Sequence, residues 1–192
     1  HNIGIPLGSA SQLVAVDFSY SSRSETILTM EQSRAELLKK IEEGKDMLRE
    51  DETYKEMCKD FKVNEDVIDL VPIRFGDDVD VSAKTVRGVI ILNKKLLLDN
   101  NFKNNIHYIL HEVSHFLQMT TRNKPTKGAN EGEYLENEDE IEAFTYQIEY
   151  MDDQYGDEEA NKYIEHLLNH HDVDGKKERK EKKDELASRI DD

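Results

Sequence analysis

The segment His111-Glu112-Val113-Ser114-His115 contains two histidines four residues apart, with a glutamate directly after the first. On a helix, residues four apart project from the same face, so both imidazoles can reach one metal ion. Glu112 is offset by one position, which takes it away from the metal but lets it reach a water bound there. Zinc lowers the pKa of such a water towards neutrality, and a carboxylate can then accept its proton. The spacing predicts a zinc-dependent hydrolytic centre with His111 and His115 as ligands and Glu112 as general base.

Two histidines leave a catalytic zinc short of protein ligands, because such sites usually have three. A second predicted helix, about 137–151, carries glutamates that could supply the third. Glu140 stands one turn before the small residue Ala143, at the edge of the apolar stripe of this helix, so it can lean towards the first helix. Glu140 is the predicted third ligand, and Glu136 and Glu142 are the alternatives.

Five further polar residues are candidates for supporting roles. His107 lies one turn before His111 and could hydrogen-bond the site or polarise a substrate carbonyl, or it could be an exposed helical histidine. Tyr134 and Tyr146 flank the predicted third ligand and could stabilise an oxyanion or simply pack at the rim. His166 and His170 repeat the four-residue spacing without the glutamate, which allows an adventitious metal or a basic cap at a helix end.

The spacing of apolar residues predicts the helices and strands that must position these residues. Apolar residues recur at helical spacing over about 102–119, and a polar loop over about 120–137 separates this helix from the next. The run Thr85–Leu92 is rich in β-branched residues and predicts a strand. Its centre, at Val89, Ile90 and Ile91, is the predicted edge that would bind an extended substrate by strand addition.

The whole chain is predicted to form one α+β domain over about 14–174. Residues 1–13 read as a remnant or disordered start and are excluded from fold reasoning. A short strand is predicted at Val14–Tyr20, followed by a helical part at about 29–71 whose first helix begins at Thr29. The metal-site core spans about 72–151, and 175–192 reads as a charged tail.

Charge and composition narrow the class of partner. The net charge of −16 argues against nucleic-acid binding, which needs clustered Lys and Arg. No apolar run is long enough for a membrane span, and the single cysteine, Cys58, fits a reducing, cytoplasmic environment. Residues 131–160 hold thirteen acidic side chains and no Lys or Arg. This stretch is either a solvated face or a cleft wall, and the second alternative predicts a preference for basic peptides.

The motif HEVSH, followed 25 residues after His115 by the pattern E-x-E-A-F, resembles the gluzincin metallopeptidases. The preceding segment GVIILN and the small size are similar to compact proteases of the ImmA/IrrE type, with SprT-like proteases more distant. The resemblance covers about residues 72–151 and departs from the family pattern at Ser114 and Phe144. It implies zinc ligands His111, His115 and Glu140, and Glu112 as the catalytic base.

The expected fold is a zincin-like domain with a small twisted sheet, an active-site helix beneath it and additional N- and C-terminal helices. In this arrangement a long N-terminal helix packs on the sheet and the helix of the third ligand crosses the active-site helix. The expected reaction is hydrolysis of a peptide bond in a protein or peptide substrate. Two alternatives stay open: a zincin-fold regulatory or binding module without peptidase activity, and a helical structural protein with an accidental HEVSH.

Overall fold

The structure, a computed structural model, describes residues 16–77, 79–122 and 135–190. It is an α+β fold, mostly helical with one small sheet, which confirms the predicted class. The helices are α1 (Val16–Arg49), α2 (Glu52–Phe61), α3 (Lys94–Leu98), α4 (Ile106–Arg122), α5 (Glu138–Tyr155), α6 (Asp157–His170) and α7 (Lys176–Leu186), and the strands are β1 (Ile73–Gly76), β2 (Ala83–Val86) and β3 (Val89–Asn93). Two 3-10 helices, Glu65–Leu70 and Phe102–Asn105, precede β1 and α4.

Helix α1 is longer than predicted. The strand expected at Val14–Tyr20 is wrong, because the chain is helical from Val16 and no Pro or Gly interrupts it before Gly44. Thr29 does not cap a helix start; its hydroxyl donates to the carbonyl of Glu25 one turn earlier, which satisfies it inside the helix. The C-terminal half of α1 packs mainly on the first 3-10 helix, α3 and α4, and Arg34 of this helix also lies over the ring of Phe75 in β1, 5.8 Å from its centroid.

The strand predicted over Thr85–Leu92 is in fact a hairpin. Arg87 and Gly88 have φ angles of 51° and 79° and form a two-residue turn between β2 and β3. The strand order is β1-β3-β2, with β1 parallel and β2 antiparallel to β3. Val89, Ile90 and Ile91 therefore lie in the central strand, so their assignment to a substrate-binding edge is wrong. The strand of this hairpin that lies at an edge is β2.

Helix α4 lies against β2 and β3, as predicted, and buries an apolar face. It begins at Ile106 rather than Phe102, because the first residues form the short 3-10 helix, and it continues to Arg122. Helix α5 packs along α4 with Ala143 fully buried. The metal-motif helix is thus held between the sheet and α5.

The C-terminal segment belongs to the packed structure, which corrects its assignment as a charged tail. Helix α7 packs on α5 and α6 and buries Leu186 completely. A second apolar cluster forms between these three helices, with Ile148, Ile164 and Leu168 at its centre. Beyond α7, Arg189 reaches back to acidic side chains of α2 and α5.

The described helices differ in length or hydropathy from membrane-spanning helices. None combines sufficient length with sufficient hydropathy to cross a bilayer.

Candidate metal centre

His111, His115 and Glu140 meet at one point between α4 and α5. The Nε2 atoms of the two histidines are 3.2 Å apart. Glu140 Oε1 lies 3.1 Å from His111 Nε2 and 3.0 Å from His115 Nε2. All three side chains are buried, and within the described residues they are the one cluster of three such groups that could hold a metal ion.

The position of Glu140 follows from the start of α5. Asn137 is the N-cap, and its side-chain oxygen accepts from the backbone N–H groups of Asp139 and Glu140. This cap fixes the first turn, and the absence of a large side chain at Ala143 lets α4 approach. Glu140 therefore projects onto the histidines from the second helix, as the sequence predicted.

Electrostatic interactions within the cluster favour a negative charge on Glu140 and a positive charge on His115. Burial alone would raise the pKa of Glu140, but its contacts with His111 and His115 lower it to about 2. Burial likewise opposes a proton on His115, but hydrogen bonding and attraction to Glu140 raise its pKa to about 9. A cation at this point therefore meets a carboxylate that is already ionised.

Gln118 orients one of the histidines. Its side-chain amide N–H groups are directed at the carbonyl of Asp139 and at Glu142, at 2.9 Å each. The amide oxygen is therefore left to accept from His115 Nδ1 at 2.8 Å. With a proton held on Nδ1, Nε2 is the atom that can lose its own proton and donate a lone pair to a metal. His111 is placed instead by packing on Phe144, with ring centroids 4.5 Å apart.

The donor set fits a divalent metal of the zinc type. Zinc binds imidazole nitrogen and carboxylate oxygen at about 2.0–2.2 Å, which places tetrahedral ligand atoms about 3.3 Å from one another. The three observed separations of 3.0–3.2 Å are close to this spacing. Three protein ligands leave one position of a tetrahedron for another molecule, which is the pattern of catalytic rather than structural sites.

Glu112 lies beside this cluster but outside it. Its Oε2 is 4.0 Å from His111 Nε2, while its Oε1 accepts a hydrogen bond of 2.8 Å from the hydroxyl of Thr85 on β2. One carboxylate oxygen is held by the sheet, and the other lies beside His111 of the candidate cluster. Thr85 was not identified from the sequence, because only the packing of β2 on α4 brings it there.

His107 is buried, so the alternative of an exposed helical histidine is wrong. Its Nδ1 accepts from the amide of Gln147 at 2.7 Å, and the same amide also donates to Tyr163. Burial and the proximity of His111 lower the pKa of His107 to about 3, so the ring is neutral. It hydrogen-bonds Gln147 and packs on Tyr163, two residues that line the cleft described below, and as a neutral ring it keeps one N–H donor.

The other candidates are not brought to the cluster. Tyr146 donates to Asp60 at 2.7 Å on a different side of α5, and burial raises its pKa. Glu142 forms a two-point ion pair with Arg122, and Glu136 is exposed with no contact to the histidines. Tyr134 lies outside the described residues.

An open cleft of about 820 Å³ lies over His111 and Glu112. Helix α6 forms one wall, and the segment Asp80–Ala83 forms the other. The acidic residues of the 131–160 stretch do not line it among the described residues; that stretch contributes Phe144 and Gln147 only. The described acidic side chains of 131–160 therefore do not form a wall of this cleft, which was the basis for expecting a basic substrate.

Comparisons of the chain with models of protein families, with curated proteins and with solved structures gave no match.

Proposed function

We propose that the protein is a zinc-dependent peptidase in which Glu112 is the general base. The observation that carries the proposal is the placement of Glu112: it lies next to three convergent, buried metal ligands without joining them. A cluster that served only to hold a structural metal would not need an anchored carboxylate at its open side. The resemblance of HEVSH and the downstream glutamate to gluzincins supports the same function and a zincin-like domain.

Zinc is the metal that this donor set favours, since two imidazoles and one carboxylate suit it better than magnesium or calcium, which prefer oxygen ligands alone. When bound, zinc would supply Lewis acidity towards a water molecule and a peptide carbonyl. His111, His115 and Glu140 would hold it. The buried position of all three favours binding, because they are already desolvated and oriented before the metal arrives.

The remaining chemistry belongs to side chains of the chain itself. Glu112 accepts a proton from the attacking water at Oε2 and returns it to the leaving amine. Thr85 keeps the other oxygen, Oε1, engaged, so the carboxylate has one orientation for both transfers. Neutral His107 holds Gln147, which lines the cleft, through a hydrogen bond. Together these contacts favour general-base catalysis of hydrolysis.

An extended peptide substrate is favoured by the edge strand. Within the described residues β2 has a single strand neighbour, β3, so its outer edge offers backbone groups for strand addition. Thr85 of this strand touches Glu112, which would bring the backbone of such a peptide close to the base. The protein partner we propose is therefore a peptide or unfolded segment, bound by an enzyme that works in a reducing, cytoplasmic setting suited to the free Cys58.

The test compares the purified wild-type chain with Glu112→Gln and His111→Ala. We expect about one zinc per chain by elemental analysis in the wild type and in Glu112→Gln, and much less in His111→Ala. Cleavage of a mixed peptide library, followed by mass spectrometry, should occur with the wild type and fall by at least about 100-fold in Glu112→Gln, the scale of general-base catalysis.

The regulatory alternative gives a different result. A zincin-fold binding module would hold zinc in both proteins and cleave no peptide with either. Absence of stoichiometric zinc in the wild type, even after loading and dialysis, would contradict the metal centre itself.

A further inference from the structure

Helix α6 presents two histidines to the cleft over the metal centre. His166 and His170 lie one helical turn apart and stack with ring centroids 5.9 Å apart at an angle of 17°. Both line the same cleft as His111 and Glu112. Nothing in the proposed zinc centre uses them.

The two imidazoles are exposed, and neither has a hydrogen-bond or ion-pair partner in the part of the chain that the structure describes. The nearest acidic residue along the helix, Glu165, turns away from the cleft. It pairs with Arg179 at 2.6 Å and with Lys183 at 3.4 Å, both on α7. The N–H donors of His166 and His170 are therefore free to bind a ligand in the cleft.

The two walls of the cleft differ in whether they contain a carboxylate. The wall facing α6 contains Asp80, and the floor contains Glu112, while the α6 wall has no carboxylate among the described lining residues. An imidazole has an N–H donor whether neutral or charged, and a carboxylate is its strongest natural acceptor. A basic side chain placed against α6 would meet no carboxylate among the described lining residues, whereas an acidic one would meet the N–H donors of the two imidazoles.

We infer that the α6 wall, through His166 and His170, binds an acidic side chain of the peptide substrate. This inference rests on the proposed function, and it replaces the expectation of basic substrates with the opposite charge at this subsite. Asp or Glu at one position beside the cleaved bond would accept hydrogen bonds from the two rings. The remainder of the peptide would follow β2 past Glu112.

The test measures binding separately from cleavage. The 192-residue chain carrying Glu112→Gln and loaded with zinc is titrated with fluorescein-labelled octapeptides that are identical except for Glu, Gln or Lys at each position in turn. At one position we expect the Glu peptide to bind about tenfold more tightly than the Gln peptide, the scale of a hydrogen bond to a charged group. The His166→Ala/His170→Ala variant should abolish the difference.

Asn169→Ala on the same helix is the matched control, because Asn169 is exposed and does not line the cleft. Ala is the best helix former, so circular dichroism should show all three proteins folded. A Glu preference that survives loss of both histidines, or a preference for Lys, overturns the inference.

Cleavage of the same peptides by the wild-type chain separates this inference from the proposed function. A histidine-dependent Glu preference in binding, with no peptide cleaved, keeps the acidic subsite and rejects the peptidase. Cleavage without that preference keeps the peptidase and rejects the subsite. If no peptide is bound and none is cleaved, both the acidic subsite and the peptidase are overturned.

Discussion

The orientation of Glu112 depends on a contact with Thr85, a residue outside the HEVSH motif. Its hydroxyl donates to Glu112 Oε1 at 2.8 Å, and the backbone carbonyl of Glu112 lies farther away, at 3.4 Å. The shorter contact is the one that fixes the carboxylate. Without it, the side chain of Glu112 can rotate, and only some of its rotamers face the metal ligands.

Replacement Thr85→Val, which keeps the shape but removes the hydroxyl, should therefore lower kcat of the proposed peptidase by about tenfold. That figure corresponds to the loss of one hydrogen bond to a charged group. KM and zinc content should stay close to those of the wild type, because Thr85 contacts neither the metal ligands nor the α6 wall. Steady-state kinetics on a cleaved peptide, with zinc analysis of each protein, measures all three.

Thr85→Ser restores a hydroxyl and is the control. If Ser fails to recover kcat, or if Val changes only KM, Thr85 does not position the base.

The clustering of His111, His115 and Glu140 was predictable from the sequence because helix periodicity decides which side chains share a face. His111 and His115 depend on one helix alone, and Glu140 needed only a second helix next to it. Gln118 could have been found by the same rule, since it lies three residues after His115 on that face. Thr85 could not, because it is 27 residues from Glu112 and no local pattern encodes the packing of β2 on α4.

The β2–β3 hairpin is the element that carries Thr85, and its turn was missed for a physical reason. Arg87 occupies a left-handed conformation, φ 51°, that residues with a side chain rarely adopt, so the pair Arg-Gly does not signal a turn as Asn-Gly does. The continuous β-branched character of the segment then favoured a single long strand. The same error placed the substrate edge on β3 instead of β2.

A substitution at Gly88 tests the assignment of the two-residue turn. Its φ is 79°, and a Cβ at this position would stand 2.7 Å from Met119 Cε of α4. We expect Gly88→Ala to destabilise the protein by about 1–2 kcal/mol, from the left-handed conformation together with displacement of the flexible methionine end. Urea unfolding monitored by circular dichroism measures the change.

The complementary variant Arg87→Asn places a residue that tolerates the left-handed region beside the same glycine. It should leave the unfolding free energy unchanged or raise it by a few tenths of a kcal/mol. A larger loss with Arg87→Asn than with Gly88→Ala would contradict the assigned turn.

At the scale of the whole molecule, one residue beyond α7 joins the C-terminal segment to the body. Arg189 contacts Glu149 at 3.2 Å, Glu56 at 2.6 Å and Asp60 at 3.2 Å, and its guanidinium lies 4.1 Å above the ring of Tyr146. The segment looked like a solvated tail because thirteen of its 18 residues are charged. Leu186 and Arg189 are too few to form a periodic pattern, but both anchor the segment, Leu186 in the second apolar cluster and Arg189 on α2 and α5.

Arg189→Ala should lower the unfolding free energy by about 2 kcal/mol, because it leaves three carboxylates without their shared cation. Lys180→Ala is the control; its pair with Asp184 is exposed on α7 and should contribute less than about 0.5 kcal/mol. Equal effects of the two substitutions in urea unfolding would show that the C-terminal segment does not depend on Arg189.

The carboxylates around Arg189 predict how the stability of the protein changes with pH. Burial, together with the negative charge of Glu56 and Asp153, raises the pKa of Glu149 to about 7, although Arg189 opposes the shift. The folded protein therefore binds a proton here that the unfolded chain, with a pKa near 4.5, has already released. The contribution of Glu149 to stability is complete below about pH 4.5 and is lost as pH rises through 7.

Glu149→Gln removes this titration while the amide oxygen can still accept from Arg189 Nε. We expect its unfolding free energy, measured in urea at pH 5 and pH 8, to fall less over that interval than the wild-type value does. The residues of the candidate metal centre are the same in both proteins, so any contribution from them cancels in the difference. Parallel pH profiles for the two proteins would mean that Glu149 is ionised throughout, and that Arg189 outweighs the burial of the carboxylate.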